Sequence, residues 1–538
     1  MSENLFFPQA SSNSQEDKIE SKFKNRNELS YSQKSFSQIK DDSMNNEISL
    51  VKSFREKQFI QKRIKQKIEE KTENHNNSQT LFDKLTISRE LYDKCNSMDI
   101  SITHIKEILI AFNSKEIEQK FTGLVGLRRL LTLENPPIQL LLDMNVLPNI
   151  IELLDNSPAE FKYEALWCLI NISSGNEVNV NKIKYLGGID KIVSLLDNDL
   201  NEIKELAIWN LDNFCYESSK ICMYFIHKKL LNKIITILSV NNNEKITMRS
   251  ISLIKILIKN LNKKKIKISD YSSDLNRIIN IVSRIIMSIK YNQENPENRE
   301  LYYNCLYILS ALTNYKFCRD SLLINGVLPY LTKLIKECNE ENDLFLVLGG
   351  VKIIGNIIAG NANQTQKALD CNIFALLKEL MFHKNKRIKK EANWIISNVA
   401  AGTEKNITDL IDNGFFPLLC QIFHNEEKDI SIEAIWSLCN FSQIKKKEYI
   451  KMLLNQGLLG IICECLKNQD AGIIAIAIES LYNLLEYGKN NSTDGDNLIA
   501  LELEKMGMLD YLESLQYHPN EKIYEKVLKM IETFLPIE

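Results

Sequence analysis

Two stretches, Glu164-Ala-Leu-Trp167-Cys-Leu-Ile-Asn171 and Glu391-Ala-Asn-Trp394-Ile-Ile-Ser-Asn398, set a carboxylate, an indole and an amide at the same relative positions. Trp209 with Asn213 and Trp436 with Asn440 repeat the indole and the amide, and both follow the preceding pair by 42 residues. Residues four apart share a helix face, so each Trp stands beside its Asn. Asn offers one donor group and one acceptor, which suits it to both the N–H and the C=O of a peptide backbone. Trp offers a flat wall to a methylene stem and a negative face to a cation, worth about 0.5–2 kcal/mol per contact. Helices repeating this pattern present a ladder that reads an extended chain. Packed helices lie about 8–10 Å apart and an extended chain rises about 3.3 Å per residue, so a rung meets every second or third peptide residue.

The elements that position these residues follow from the period. A repeat near 42 residues belongs to the HEAT and armadillo class of helical arrays. Gly and Asn interrupt each unit, as in Leu186-Gly187-Gly188, Asn325-Gly326-Val327, Asn413-Gly414-Phe415 and Gln456-Gly457-Leu458. About ten units fit between residues 100 and 535 at the period of that class. The middle departs from the pattern. Ile256 stands where an indole is due, four residues before Asn260, and the next unit, around Tyr307, has Ala311 in the amide position. The Lys-rich run Asn262 to Asp270 between them reads as a surface loop, and the ladder resumes at Lys352 and Asn356. The expected fold is all-α: a right-handed superhelical solenoid of about ten armadillo repeats over 79–538, preceded by a largely disordered arm over 1–78, whose composition is polar. Within that arm Ile48 to Lys71 is rich in helix formers.

Composition narrows the function classes. The chain has 538 residues, 44% of them apolar, few Gly and Pro, and a formal charge of −2. That balance argues against bulk nucleic-acid binding. No run of eighteen apolar residues predicts membrane insertion, and the N-terminus lacks the basic stretch and apolar core of a signal peptide. The twelve Cys lack paired C-x-x-C units and read as buried thiols; the six His are dispersed, so no metal or other cofactor is expected. Without a P-loop or nucleophile elbow, an enzyme is not expected either.

Four places resemble the importin-α family, the armadillo adaptors of nuclear import: Glu134-Asn-Pro-Pro137-Ile138, Asn171-Ile-Ser-Ser174-Gly175, Gly355-Asn356-Ile-Ile-Ala-Gly360 with Gln364-Thr365-Gln366, and the tail Leu515-Gln516-Tyr-His518-Pro-Asn520-Glu521-Lys-Ile523-Tyr524. In the arm, Ser21 to Arg26 and Ile48 to Arg63 resemble the two parts of an importin-β-binding segment, with Asp41 to Glu47 standing where the family carries consecutive arginines. The resemblance implies a receptor that shuttles between cytoplasm and nucleus and binds basic nuclear-localisation peptides in a concave groove. Its implied partners are cargo proteins, importin-β and, at the C-terminal repeats, a nuclear export receptor.

Carried over residue by residue, the resemblance implies two clusters. Trp167, Asn171, Trp209, Asn213, Glu217 and Asn260 match the major cargo groove, and Asn356, Glu391, Trp394, Asn398, Glu433, Trp436 and Asn440 match the minor one. Taken singly, each acid is as readily a solvated helix charge, and each Trp more often a core residue. Their common phase is what argues for a groove. Because Ile256 removes one wall, the second cluster is expected to carry more of the affinity. Lys62-Arg63 in the arm are cargo-like and tethered, so they are expected to compete for the grooves and self-inhibit the free protein. The alternative is a divergent armadillo scaffold with no transport role.

Overall fold

The computed structural model describes residues 87–174, 176–241, 243–263, 268–340, 343–492 and 497–535. Helices and short 3-10 turns make up the regular structure, and the described residues contain no β-strand. Among the described residues, ten helices recur along the chain at the repeat spacing, and six of them carry the candidate ladder residues. They are α1 (Ile117–Leu131), α2 (Ala159–Ser173), α3 (Asn201–Glu217), α4 (Glu244–Lys263), α5 (Pro296–Leu312), α6 (Leu344–Ile358), α7 (Lys386–Ala400), α8 (Lys428–Asn440), α9 (Ala471–Asn490) and α10 (Glu521–Phe534). This is the all-α armadillo array expected from the period.

The chain splits into two compact units that meet in sequence at Ala311 and Leu312. In the first, α1 packs on α2, α2 on α3 and α3 on α4. In the second, α6 to α10 pack in the same consecutive order. Each long helix buries its apolar stripe against its neighbours and against the shorter helices of its own repeat, so the core runs along each array. No single described helix is long and apolar enough to cross a membrane.

A repeat turns its corner in one residue. Glu177–Tyr185 ends, Gly187 adopts φ 76°, and Gly188–Ser194 begins before α3 follows. Gly326, Gly414 and Gly457 occupy the same left-handed corner, as their Gly punctuation implied. Asn145, Lys229 and Asn372 take that corner without glycine, at φ 55–57°, so those repeats were harder to delimit from sequence.

Of the Lys-rich run read as a surface loop, only the two ends fall among the described residues. Asn262 and Lys263 still belong to α4, and Ile268–Tyr271 form a 3-10 turn leading into the helix Ser272–Ser288. Residues 264–267 lie outside the described set, as does the whole of 1–78, including the Lys62-Arg63 pair.

Candidate functional site

The first cluster is carried by adjacent helices of one unit. α2 brings Trp167 and Asn171, α3 brings Trp209, Asn213 and Glu217, and α4 brings Ile256 and Asn260. The second lies wholly in the other unit: Asn356 on α6, Glu391, Trp394 and Asn398 on α7, and Glu433, Trp436 and Asn440 on α8.

The asparagines differ in what holds them. Asn171 and Asn213 are buried, 2% and 4% exposed, and their Nδ2 atoms have no hydrogen-bond acceptor among the described residues. Asn260 instead donates to the Ile256 carbonyl of its own helix at 3.0 Å. Asn356 donates to Thr313 Oγ1 at 2.9 Å, and Asn440 accepts from Gln443 Nε2 at 2.8 Å. Neighbouring asparagines of the same helices have other work. Asn210 donates to the carbonyls of Leu166 and Leu206, tying α3 to α2, and Asn393 donates to Met381 and Lys389.

The indoles divide into two kinds. Trp167 and Trp394 are half-buried, whereas Trp209 and Trp436 are only 7% and 8% exposed. Trp209 is covered by identifiable neighbours. The Trp167 ring meets it at 5.1 Å between centroids and 70°, and the Arg249 guanidinium lies 3.6 Å from its centroid. Trp394 leans on the backbone of α6, where a Cβ at Gly355 would come within 2.5 Å of Cζ3. Glycine at 355 therefore gives that indole its seat.

The carboxylates of the ladder register also diverge. Glu164 is fully buried on α2, where Arg128 Nε of α1 lies 2.5 Å from it and the Tyr92 hydroxyl donates at 3.2 Å. Arg128 also donates to Asn96. Glu433 is buried and accepts from Ser397 Oγ at 2.8 Å. Glu391 keeps part of its surface, and burial lifts its carboxyl above the ordinary range, with the nearby Glu433 charge adding to the rise and Lys352 opposing it. Near α4, burial pulls the Arg249 guanidinium down and lifts the Glu205 carboxyl, their mutual attraction opposing both shifts.

Glu391 thus carries a desolvation cost that Lys352, Arg387 and Lys390 offset only in part. An acid whose folded pKa exceeds its unfolded value, about 4.3, contributes stability below the unfolded value and loses it as pH rises through the folded one. Glu391→Gln removes that loss. The variant is expected to melt slightly higher than the parent at neutral pH, with the gap closing on acidification, while its affinity for a Lys/Arg peptide falls. Paired melting curves at several pH values and peptide titrations check both signs.

This geometry can be set beside known proteins. Importin subunit alpha-3 of Arabidopsis thaliana is 31% identical over 421 residues, which cover 76% of this chain and 75% of the relative. The chain belongs to the importin-α family. Importin subunit alpha-1b of Oryza sativa subsp. japonica is 28% identical over 416 residues, with 76% and 74% covered. A family model described as an atypical Arm repeat matches residues 497–538, the stretch that holds the Leu515 to Tyr524 tail. Among solved structures, an engineered protein superposes with a TM-score of 0.59 at 16% identity, covering 80% of this chain and 98% of its own, a likeness of fold.

For an importin-α family chain, the residues that sequence reasoning missed lie between the rungs. Arg249 is seven residues before Ile256, two turns back on the ladder face of α4, so helical spacing carried the signal. Lys255 donates to Asn304 Oδ1 of α5 at 2.7 Å and lies 5.5 Å from the Tyr307 ring, a pairing across 49 residues that no local pattern reveals.

Proposed function

We propose that this chain is a nuclear import adaptor. It holds basic nuclear-localisation peptides, extended, along the Asn and Trp rungs of α2 to α4 and of α6 to α8, and residues 1–78 link it to importin-β. The carrying observation is the pair Asn171 and Asn213, equivalent buried amides on packed helices whose N–H groups lack an acceptor. A buried donor left unpaired costs about 1–3 kcal/mol. Once each amide turns about χ2, the carbonyls of a chain laid across the two helices supply what is missing. Trp394 and Trp436, with Glu391 and Glu433 one turn before them, give the second cluster both apolar walls and negative charge for a cationic stem. Membership of the importin-α family supports the same reading, as does the resemblance of the arm to an importin-β-binding segment. On this reading the protein works in cytoplasm and nucleus, and an export receptor engages its C-terminal repeats.

One titration tests it. A labelled Lys/Arg-rich peptide is added to the full chain and to a chain lacking residues 1–78, with a neutral peptide of equal length as control. Saturable binding of the basic peptide alone is expected, tighter without the arm if Lys62-Arg63 compete for the grooves. Equal binding of basic and neutral peptides would defeat the adaptor reading. Equal affinity of the two chains would remove self-inhibition but leave the adaptor in place.

A further inference from the structure

A cation of the chain itself lies against the rung where a bound peptide's cation would go. Arg249 Cζ is 3.6 Å from the Trp209 ring centroid, and its Nε is 3.8 Å from Glu205 Oε1. The side chains of Arg249 and Glu205 are only 22% and 18% exposed, so the contact is largely shielded from water, where cation–π attraction is strongest. The acid that would draw an outside lysine toward this indole already has a cationic neighbour. From Trp167 the approach is closed as well. A methylene stem threaded between two rings needs them about 7–8 Å apart, two van der Waals contacts of roughly 3.5–4 Å each. Trp167 and Trp209 are separated by 5.1 Å and touch edge to face.

The charge of α4 agrees. Lys245, Arg249, Lys255 and Lys259 share the partly exposed side of this helix with Ser252, which donates to the buried Asp212 of α3. Arg249 reaches back to Trp209 of α3, and Lys255 reaches forward to Asn304 and Tyr307 of α5. Both flanking helices therefore have a ring met by a cation from α4.

We propose that Arg249 is a specificity-determining residue that fills the Trp209 rung in cis, so that the α3–α4 stretch rejects a lysine or arginine there and accepts basic peptides only when a non-cationic residue falls on that rung. The inference rests on the groove reading above and deepens it. Asn171 and Asn213 still hold a peptide backbone, but the side-chain slot between them and α4 is spoken for. Substitution of Arg249 then opens the slot and broadens the first cluster to uninterrupted cationic peptides.

The test uses the full chain, with a fluorescein-labelled octapeptide of alternating Lys and Arg as probe. Asn398→Ala and Asn440→Ala are introduced first, to silence the second cluster. In that background Arg249→Ala is expected to tighten binding about tenfold, within the roughly twofold to thirtyfold range of one cation–π contact. Adding Asn171→Ala and Asn213→Ala should abolish the gain. Arg249→Gln, which keeps most of the side-chain bulk, serves if the alanine variant loses its helical circular dichroism. Folded Arg249 variants that bind no tighter than their background overturn the proposal, and peptide binding by the parent chain would show that the groove reading survives. Failure of the parent and every variant to bind the octapeptide overturns both.

Discussion

Arg128→Met is expected to destabilise the first repeats by about 3–5 kcal/mol, the usual consequence of leaving one member of a buried ion pair uncompensated. Glu164 is 0% exposed, and Arg128 is its cationic partner at 2.5 Å. Without the guanidinium, the buried carboxylate keeps the Tyr92 hydroxyl at 3.2 Å but loses this cationic partner. The same arginine donates to Asn96 of the helix Arg89–Ser97, so its loss also loosens that helix from α1 and α2. In an array where each repeat leans on its neighbours, the damage should stay local. Hydrogen exchange is the measurement of choice, with protection falling in residues 87–174 and unchanged in α7 to α10. Combining Arg128→Met with Glu164→Leu should recover most of the loss, because no unpaired charge then remains inside. A single variant that costs under about 1 kcal/mol would show that the pair is better hydrated than its burial implies.

Glu164 shows where sequence reading stopped. Glu164, Glu391 and Glu433 each stand three residues before a ladder Trp, and in sequence they are interchangeable. In the structure one is an internal ion-pair partner, one is half-buried with a raised pKa, and one is buried against a serine hydroxyl. Periodicity reports which face a residue is on; it does not report what the next repeat places opposite. The helical array, the Gly corners at 187, 326, 414 and 457, and the grouping of rungs on successive helices were legible because they depend on local spacing. The occupation of Trp209 by Arg249 was not, because it depends on side chains 40 residues apart that meet only once α3 and α4 pack. The Lys-rich stretch, which charge suggested is a loop, is described only at its ends: α4 closes at Lys263, Ile268–Tyr271 form a 3-10 turn, and 264–267 lie outside the described residues.

That difference between the clusters leads to the second large effect. Alanine at both Asn398 and Asn440 is expected to weaken a Lys/Arg peptide about a hundredfold in the otherwise unaltered chain. Each replacement strands peptide backbone groups that the amide would have paired, at roughly 1–3 kcal/mol apiece, and about 1.4 kcal/mol is a factor of ten. Alanine at Asn171 and Asn213 should cost tenfold or less. Those two amides serve a cluster in which Ile256 lacks an indole, Trp167 and Trp209 are in contact, and Arg249 covers the Trp209 ring. On the groove reading a peptide rich in lysine should gain little side-chain energy there, and the α7 and α8 rungs should dominate the affinity. On those helices Trp394 rests against Gly355 and is half-buried, with no cation over its ring among the described residues. Calorimetric titration of both double variants, with circular dichroism to verify folding, decides between the clusters. The reverse order of losses would mean that Arg249 moves aside when peptide arrives and that the first cluster leads.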